Sequence, residues 1–388
     1  MKILITTDLF STTTNGVVTS IKNLSKELRK RGHDVRILAL SDSLNSYKDG
    51  IVYYIKSVSL SFIYPDIRMP VSYRNDMISE IIEWKPDVIH SQCEFFSFQF
   101  ARHISKRTGA PLIHTYHTLY EQYVTYAIPN RRLGCLVVRI FVRKRLKHVA
   151  KVVVPTHKVE NALRQYGLRN PMCTIPSGIS LEQYKTKLTR EERMNRRRAL
   201  GIPDDHQVIL SLGRLGIEKN LEELLVLFAQ ELAFNQKLTF LVVGDGPVRM
   251  QLESLAAKLG IMNQVIFTGM IDPSEVQEYY QLGDVFVCAS TSETQGLTYI
   301  EAAANGLPLL CRKDPCLEGV VFDGINGYEY TASGEFFEKI NGILNDADWR
   351  RTAGKHSEEI AESFDKSHFA SAIEDVYESV VCKDIKQN

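Results

Sequence analysis

No stretch of this 388-residue chain stays apolar for the roughly 18 to 20 residues that a helix needs to cross a bilayer, because charge interrupts every apolar run first. No transmembrane helix is therefore expected. The opening residues MKILITTDLF pass straight into a strand-like pattern, without the basic n-region, apolar core and small-residue cleavage site of a secretory leader, so the chain is expected to stay in the cytoplasm. The seven cysteines (Cys93, Cys135, Cys173, Cys288, Cys311, Cys316 and Cys382) include no CxxC pair and no cluster at metal-ligand spacing. That pattern argues against a disulfide framework and a zinc site, and for reduced, mostly buried thiols. With 44% hydrophobic and 24% charged residues the composition excludes disorder, and the length suits two ordinary domains.

The net charge of only +1 conceals a division. Residues 1–180 carry 26 Lys+Arg against 13 Asp+Glu, whereas residues 181–388 carry 21 against 33. The first half should seek an anionic surface. Acid is missing altogether from residues 122–159, which hold Arg131, Arg132, Arg139, Arg143, Lys144, Arg145, Lys147, Lys151 and Lys158. Interleaved with them are Leu133, Leu136, Val137, Val138, Ile140, Phe141, Val142 and Leu146. A basic helix of this apolar content reads as one that lies on a membrane, held by anionic headgroups and shallow insertion. Its expected membrane contacts are Arg131, Arg132, Arg139, Arg143, Lys144, Arg145 and Lys147, and a buried helix with a solvated basic edge is the alternative. Nucleic acid is disfavoured as a partner, since Phe141 is the one stacking aromatic between Arg131 and Lys158.

Along the chain, Lys2–Thr7 reads as a buried strand, residues 17–31 have helical apolar spacing (Val17, Ile21, Leu24, Leu28) ending at Gly32 as a C-cap, and Asp34–Leu40 is the next strand. Further strands are expected at 87–90, Leu112–Thr115 and Lys151–Val154. A second series follows Pro176-Ser177-Gly178, with strands at 208–212, 239–243, 265–268 and 285–289 and helices at 221–232 and 249–259 between them. Strands alternating with helices imply parallel sheets covered on both faces. The chain is therefore expected to be α/β, with two Rossmann-like domains at 1–178 and 179–365 and a C-terminal helix in 366–388 packing back on the first. Two such domains facing each other put a cleft between the carboxyl ends of their strands, where ligands of open α/β sheets bind.

The sharpest motif is Ser292-Glu293-Thr294-Gln295-Gly296-Leu297-Thr298-Tyr299-Ile300-Glu301-Ala302, a loop after an apolar strand passing into a small-residue helix. At about 1.5 Å rise per residue, Glu301 lies roughly 10 Å beyond Glu293, so the two carboxylates can grip different parts of one elongated ligand. A nucleotide diphosphate sugar has that length, and the N–H groups of Gly296, Leu297 and Thr298 would meet its diphosphate at the positive end of the helix. Upstream, Arg214 and Lys219 in Gly213-Arg214-Leu215-Gly216-Ile217-Glu218-Lys219-Asn220 end a strand. Two fixed cations there can neutralise a departing diphosphate without a divalent ion. Gly244 and Gly246, in Gly244-Asp245-Gly246-Pro247, allow a tight turn and close approach of the backbone to a ligand. Gly16, in Thr14-Asn15-Gly16-Val17-Val18, stands between the first strand and the first helix, either as a substrate contact or as a simple turn. Asp346-Ala347-Asp348 has the spacing of a metal-binding DxD but lies in a polar helical segment, and it reads as surface charge.

The segment ETQGLTYIEAAANGLPLL resembles the EX7E motif of the retaining GT-B glycosyltransferases of family 4. The resemblance implies the two-domain GT-B fold, a UDP-sugar as donor substrate, no metal or other cofactor, Glu293 on the sugar hydroxyls and Glu301 on the ribose. It likewise implies that Arg214 and Lys219 form the diphosphate clamp and that His117, in His114-Thr115-Tyr116-His117-Thr118, contacts the donor sugar. His90, Glu94 and Tyr120 are candidate acceptor contacts. NGVVTSIKNL, VIHSQCEFFSFQF, HTYHTLYEQYVTY and STSETQGLTYIEAAANGLPLL look like bacterial diacylglycerol glucosyltransferases in particular. That likeness implies UDP-glucose, diacylglycerol or another membrane lipid, an α-linked product and a peripheral place on the cytoplasmic face of the membrane. Residues 311–324 depart from the pattern, which leaves sugar choice open. A soluble or polyprenyl-linked acceptor, a UDP-sugar epimerase and a non-enzymatic sugar-nucleotide sensor stand as alternatives.

Overall fold

The computed structural model describes residues 1–10, 16–60, 68–122 and 130–385. The chain divides into two compact units, residues 1–178 with 366–388 and residues 179–365.

The first unit is built on the strands β1 (Lys2–Thr7), β2 (Asp34–Leu40), β3 (Tyr47–Asp49), β4 (Val52–Ile55), β5 (Ser57–Ser59), β6 (Arg68–Pro70), β7 (Val88–Ser91), β8 (Leu112–Thr115), β9 (Lys151–Val154) and β10 (Met172–Thr174). Eight of them form one sheet in the order β10-β9-β8-β7-β1-β2-β4-β3, while β5 and β6 pair separately. All pairs of the large sheet are parallel except β3 with β4. The central strand β1 is a near-continuous apolar run with Ile3, Leu4 and Ile5 fully buried, as a strand covered on both faces requires.

The covering helices are α1 (Gly16–Lys30), α2 (Asp76–Trp84), α3 (Ser97–Thr108), α4 (Arg131–Leu146) and α5 (His157–Gln165). α1 stops as its sequence dictates: Gly32 takes φ 87°, its N–H bonds Arg29 O at 3.0 Å, and the N–H of His33 bonds Leu28 O at 3.1 Å. The last helix of the chain, Lys366–Ile385, also belongs to this unit. Its Phe369, Ile373, Val376 and Tyr377 are buried with Ile21, Leu24 and Leu28 of α1 in one core cluster.

The second unit has six parallel strands, β11 (Gln207–Leu212), β12 (Leu238–Val243), β13 (Val265–Phe267), β14 (Val285–Cys288), β15 (Leu309–Arg312) and β16 (Gly327–Tyr330), ordered β13-β12-β11-β14-β15-β16. Its helices are α6 (Arg190–Ala199), α7 (Leu221–Glu231), α8 (Arg249–Lys258), α9 (Val276–Gln281), α10 (Leu297–Ala304), α11 (Ser333–Asn345) and α12 (Ala347–Glu362), which makes Lys366–Ile385 α13. Two apolar clusters, one centred on Leu225, Phe228 and Phe240 and the other on Leu210, Tyr280 and Phe286, sandwich the sheet.

In both units the strand order reverses about the first strand, between β1 and β7 in one and between β11 and β14 in the other. Those switch points, at the carboxyl ends of the strands, are where open α/β sheets leave a crevice for ligands. Among the described residues, no helix is long and apolar enough to cross a membrane.

Candidate functional site

In the second unit the motif residues converge on its switch point. The loop after β11 carries Arg214 and Lys219, and the loop after β14 carries Glu293. Ser290 and Ser292 each donate a hydroxyl to Glu218 O at 3.2 Å, stapling the two loops together. Across that staple the Lys219 ammonium pairs with Glu293, both side chains mostly buried. Arg214 is exposed and lies 3.8 Å from Glu218. Arg214 and Lys219 border a narrow crevice that Gly213, Cys288 and Thr298 help to line.

Gly296 caps α10 in the left-handed region at φ 73°, and a Cβ there would strike the Tyr299 ring at 2.3 Å. The N–H groups of Leu297 and Thr298 open the helix. Glu301, one helical stretch further on, receives the Tyr280 hydroxyl at 2.9 Å and is also hydrogen-bonded by Tyr184. Burial raises its pKa to about 7 against the lowering effect of the two phenols. Tyr184 and Tyr280 are absent from the motif reading because they lie 117 and 21 residues away from the carboxylate they hold, outside any local pattern.

Gly244 and Gly246 have a packing role beyond the close approach to a ligand that their sequence suggests. A Cβ on Gly244, whose φ is 125°, would lie 2.1 Å from Gly213 O, and one on Gly246 would lie 2.3 Å from Leu215 O. The turn is pressed onto the loop that carries Arg214, with Gly213 N–H bonded to Val243 O at 3.0 Å and Leu215 N–H to Asp245 O at 2.9 Å. The chain itself fills the space that a side chain would need at these glycines. Gly244→Ala should therefore strain φ and displace the 213–215 loop together, costing roughly 2 to 4 kcal/mol of stability. Thermal unfolding of the variant checks this, and an unchanged midpoint would contradict the close packing.

In the first unit the switch point gathers a different set. Gln92 continues from β7 with its N–H on Thr6 O at 2.8 Å. Its side-chain carbonyl accepts from Nε2 of His117 at 2.7 Å, and its amide nitrogen is buried without a partner among the described residues. Burial above all lowers the His117 pKa to about 4, so the imidazole is neutral near pH 7; Glu94 raises it and His114 lowers it further. Glu94 is buried, takes Nε2 of His114 at 3.0 Å on one oxygen and receives the Tyr120 hydroxyl on the other. Burial, then Glu94, keeps the Tyr120 phenol far above its ordinary range. Asp8, just past β1, accepts the N–H of Ser97 at 2.6 Å and of Phe96 at 3.4 Å at the start of α3, yet burial holds its pKa up at about 6. Asp8 and Gln92 escaped the motif reading. Their one signal in the sequence is a polar residue just past a buried strand.

His90 is corrected as an acceptor contact. It is fully buried, with Nδ1 2.7 Å from the Tyr377 hydroxyl and Nε2 2.7 Å from Thr115 Oγ1, so neither ring nitrogen is left for a ligand. Burial drives its pKa well down, with His114 and His117 adding to the effect. Gly16 begins α1 on the surface. Thr14 and Asn15 before it, and residues 123–129 at the start of the acid-free stretch, lie outside the described residues.

α4 sets apolar and basic side chains together on the surface of the first unit. Leu133, Leu136, Val137 and Ile140 are each about half exposed, while Val142 and Leu146 anchor the carboxyl end of the helix in the core. Arg131, Arg132, Arg143, Lys144 and Lys147 are exposed. Arg143, Lys144 and Lys147 border an open groove of about 830 Å³ with Arg169 on its far side. Two of the expected membrane cations are occupied within the fold: Arg139 bonds Glu121 at 2.8 Å, and Arg145 lies over the Phe141 ring at 5.2 Å. Asp346 caps α12 by accepting Trp349 N–H at 2.8 Å and Asp348 pairs with Arg351, so this DxD is helix-terminal surface charge.

Comparison with known proteins bears on both units. Residues 14–183 match the family described as Glycosyltransferase Family 4, and residues 192–360 match Glycosyl transferases group 1. An alpha-monoglucosyldiacylglycerol synthase of Streptococcus pneumoniae is 37% identical over 332 residues, 85% of this chain and 75% of that protein. Another, of Acholeplasma laidlawii, is 28% identical over 100% of this chain and 99% of that one. Among solved structures, sucrose-phosphate synthase from Thermosynechococcus elongatus superposes with a TM-score of 0.77 at 21% identity, covering 98% of this chain and 99% of that chain. Anabaena HepE in complex with UDP and glucose gives 0.75 at 20% identity, covering 98% and 100%. These two share the GT-B fold with the present chain.

Proposed function

The chain belongs to glycosyltransferase family 4, and on that premise we propose that it moves a glucosyl residue from UDP-glucose to 1,2-diacylglycerol, with retained configuration, at the cytoplasmic face of a membrane. The observation that carries the lipid acceptor is α4, where four half-exposed aliphatic side chains share a helix with a basic groove. An exposed apolar stripe beside cations fits a surface that is both greasy and anionic. The synthases that this chain resembles are named for a product on diacylglycerol, which supports the same acceptor.

In this reading Glu293 holds sugar hydroxyls and Glu301 the ribose. The acceptor hydroxyl attacks the anomeric carbon on the face the diphosphate leaves and gives its proton to an oxygen of the departing phosphate, the bond to the diphosphate breaks, and the charge that appears on UDP is met by Lys219, Arg214 and the amino end of α10. These groups are built into one unit before any ligand arrives, so little reorganisation accompanies the charge transfer. His117 contacts the donor sugar as a neutral ring, and Glu94 with Tyr120 orients the acceptor. Glu293 positions the sugar and does not attack it.

The test is a screen of radiolabelled UDP-sugars against lipid and water-soluble acceptors. Label from UDP-glucose should enter the lipid phase only with diacylglycerol present. Label that stays in a water-soluble product, or moves to a polyprenyl lipid, would overturn the acceptor. Leu136→Asp combined with Ile140→Asp should weaken co-sedimentation with anionic vesicles by at least tenfold, since burying one aliphatic side chain is worth ~1.5–3 kcal/mol. Undiminished vesicle binding would remove α4 from the membrane.

A further inference from the structure

Gln92 has no role in the mechanism above, yet both ends of its side chain are informative. It is 3% exposed and stands at the switch point of the first unit, on the carboxyl side of β7. Its carbonyl oxygen can only accept, so the 2.7 Å contact requires the proton of His117 to sit on Nε2. Nδ1 of that ring is then a bare acceptor, and it has no partner among the described residues. The amide nitrogen of Gln92 is the opposite, a buried donor with no acceptor among the described residues. A buried donor without an acceptor carries a desolvation cost, and in native proteins such groups are rare away from functional sites.

We propose that Gln92 is a positioning residue that fixes His117 as the Nε2–H tautomer with its carbonyl and takes an oxygen of the bound substrate with its amide. The pair then offers a donor on Gln92 and an acceptor on His117, which a ligand bearing several hydroxyl groups, each able to give and to receive, can engage. A sugar hydroxyl is the ligand chemistry this pattern selects, and this rests on the glycosyltransferase reading of the site. Burial keeps the ring neutral and so preserves the acceptor. The titratable groups that face His117 are Glu94, His114 and His90. His90 and His114 are engaged with Thr115, Tyr377 and Glu94, so among the described residues Gln92 alone is bonded to the His117 ring.

The experiment is nitrogen-15 NMR of the full chain labelled at its histidine imidazoles, with the His117 signals assigned from His117→Asn. In the unsubstituted protein at pH 7, His117 should show the Nε2–H tautomer. Gln92→Leu should shift it toward a tautomeric mixture, and the isosteric Gln92→Glu should raise its pKa by at least one unit, because a carboxylate now faces the ring. Both variants should lower kcat/KM at least 30-fold with UDP-glucose and dioleoylglycerol vesicles. Unchanged His117 signals in both variants would overturn the proposal, as would altered signals with kcat/KM within threefold. Should Gln92→Leu fail to fold, Gln92→Glu decides. Full turnover in His117→Ala would instead overturn the place of His117 in the site, and absence of any turnover in the unsubstituted protein would overturn the substrates, while the NMR result still decides the tautomer.

Discussion

Lys219→Ala should lower kcat by about 10²- to 10³-fold, the loss of roughly 2.7 to 4 kcal/mol that follows removal of one preorganised group from a developing anion. The ammonium sits at the reversal of strand order in the second unit, on a loop stapled by Ser290 and Ser292, and its pairing with Glu293 holds it in place. Alanine removes a charge that is complementary to the diphosphate only once the glycosidic bond has begun to break. The effect should therefore fall on kcat more than on the affinity for UDP-glucose. Lys219→Arg should recover part of the rate, because the charge is kept while the planar fork cannot reproduce a compact ammonium against Glu293. Initial rates together with calorimetric titration of UDP-glucose, without acceptor, separate the two effects. A kcat within threefold of the unsubstituted enzyme would take Lys219 out of the transition state.

Truncation after Asp365 should leave the first unit unfolded and the second intact. α13 buries Phe369, Ala370, Ile373, Val376, Tyr377 and Val380 in the same cluster as Ile3, Ile5 and α1. At ~1.5–3 kcal/mol for each large apolar side chain, the loss is on the order of 10 kcal/mol, comparable to the whole stability of a domain. Polar losses add to it. His90 would keep a buried Nδ1 with no Tyr377 hydroxyl, and His33 and Arg31 would lose Glu374, now at 2.7 and 3.1 Å. The second unit keeps all of its strands and both of its clusters, since residues 179–365 supply every part. Hydrogen exchange followed by mass spectrometry should find fast exchange through β1, β2 and β7 and slow exchange through β11, β12 and β14. Protection of β1 in the truncated chain would show that α13 is dispensable.

Much of this architecture is legible in the residues, and what is not has identifiable causes. The strand Lys2–Thr7 and the stop of α1 at Gly32 follow from local rules, an apolar run between turns and a glycine in the left-handed region. Glu293 and Glu301 could be read together because one loop and one helix carry both. β3, β5, β6 and β10 have three residues each, too few for a period to emerge. His90 looked available because Tyr377, the group that occupies it, is 287 residues distant. The packing role of the glycines at 244 and 246 is not legible in the sequence, because the carbonyls of Gly213 and Leu215 that need the room belong to another strand's end. Gln92 lies within VIHSQCEFFSFQF but takes no role from that likeness, and only the bond to His117 gives it a purpose.

The chain leaves the first unit after Gly178 and returns to it only at Lys366. On the ribosome this reverses the usual order of maturation. The second unit is complete while the final helix is still being made, whereas the first, although synthesised earlier, must wait for α13 with the partly uncovered face of its β-sheet exposed. At about 5 to 20 residues per second, the 188 residues from Gly178 to Lys366 take on the order of ten seconds or more. For that interval the nascent chain is a natural client for a chaperone that shields apolar surface, and slower translation through the second unit would lengthen the exposure.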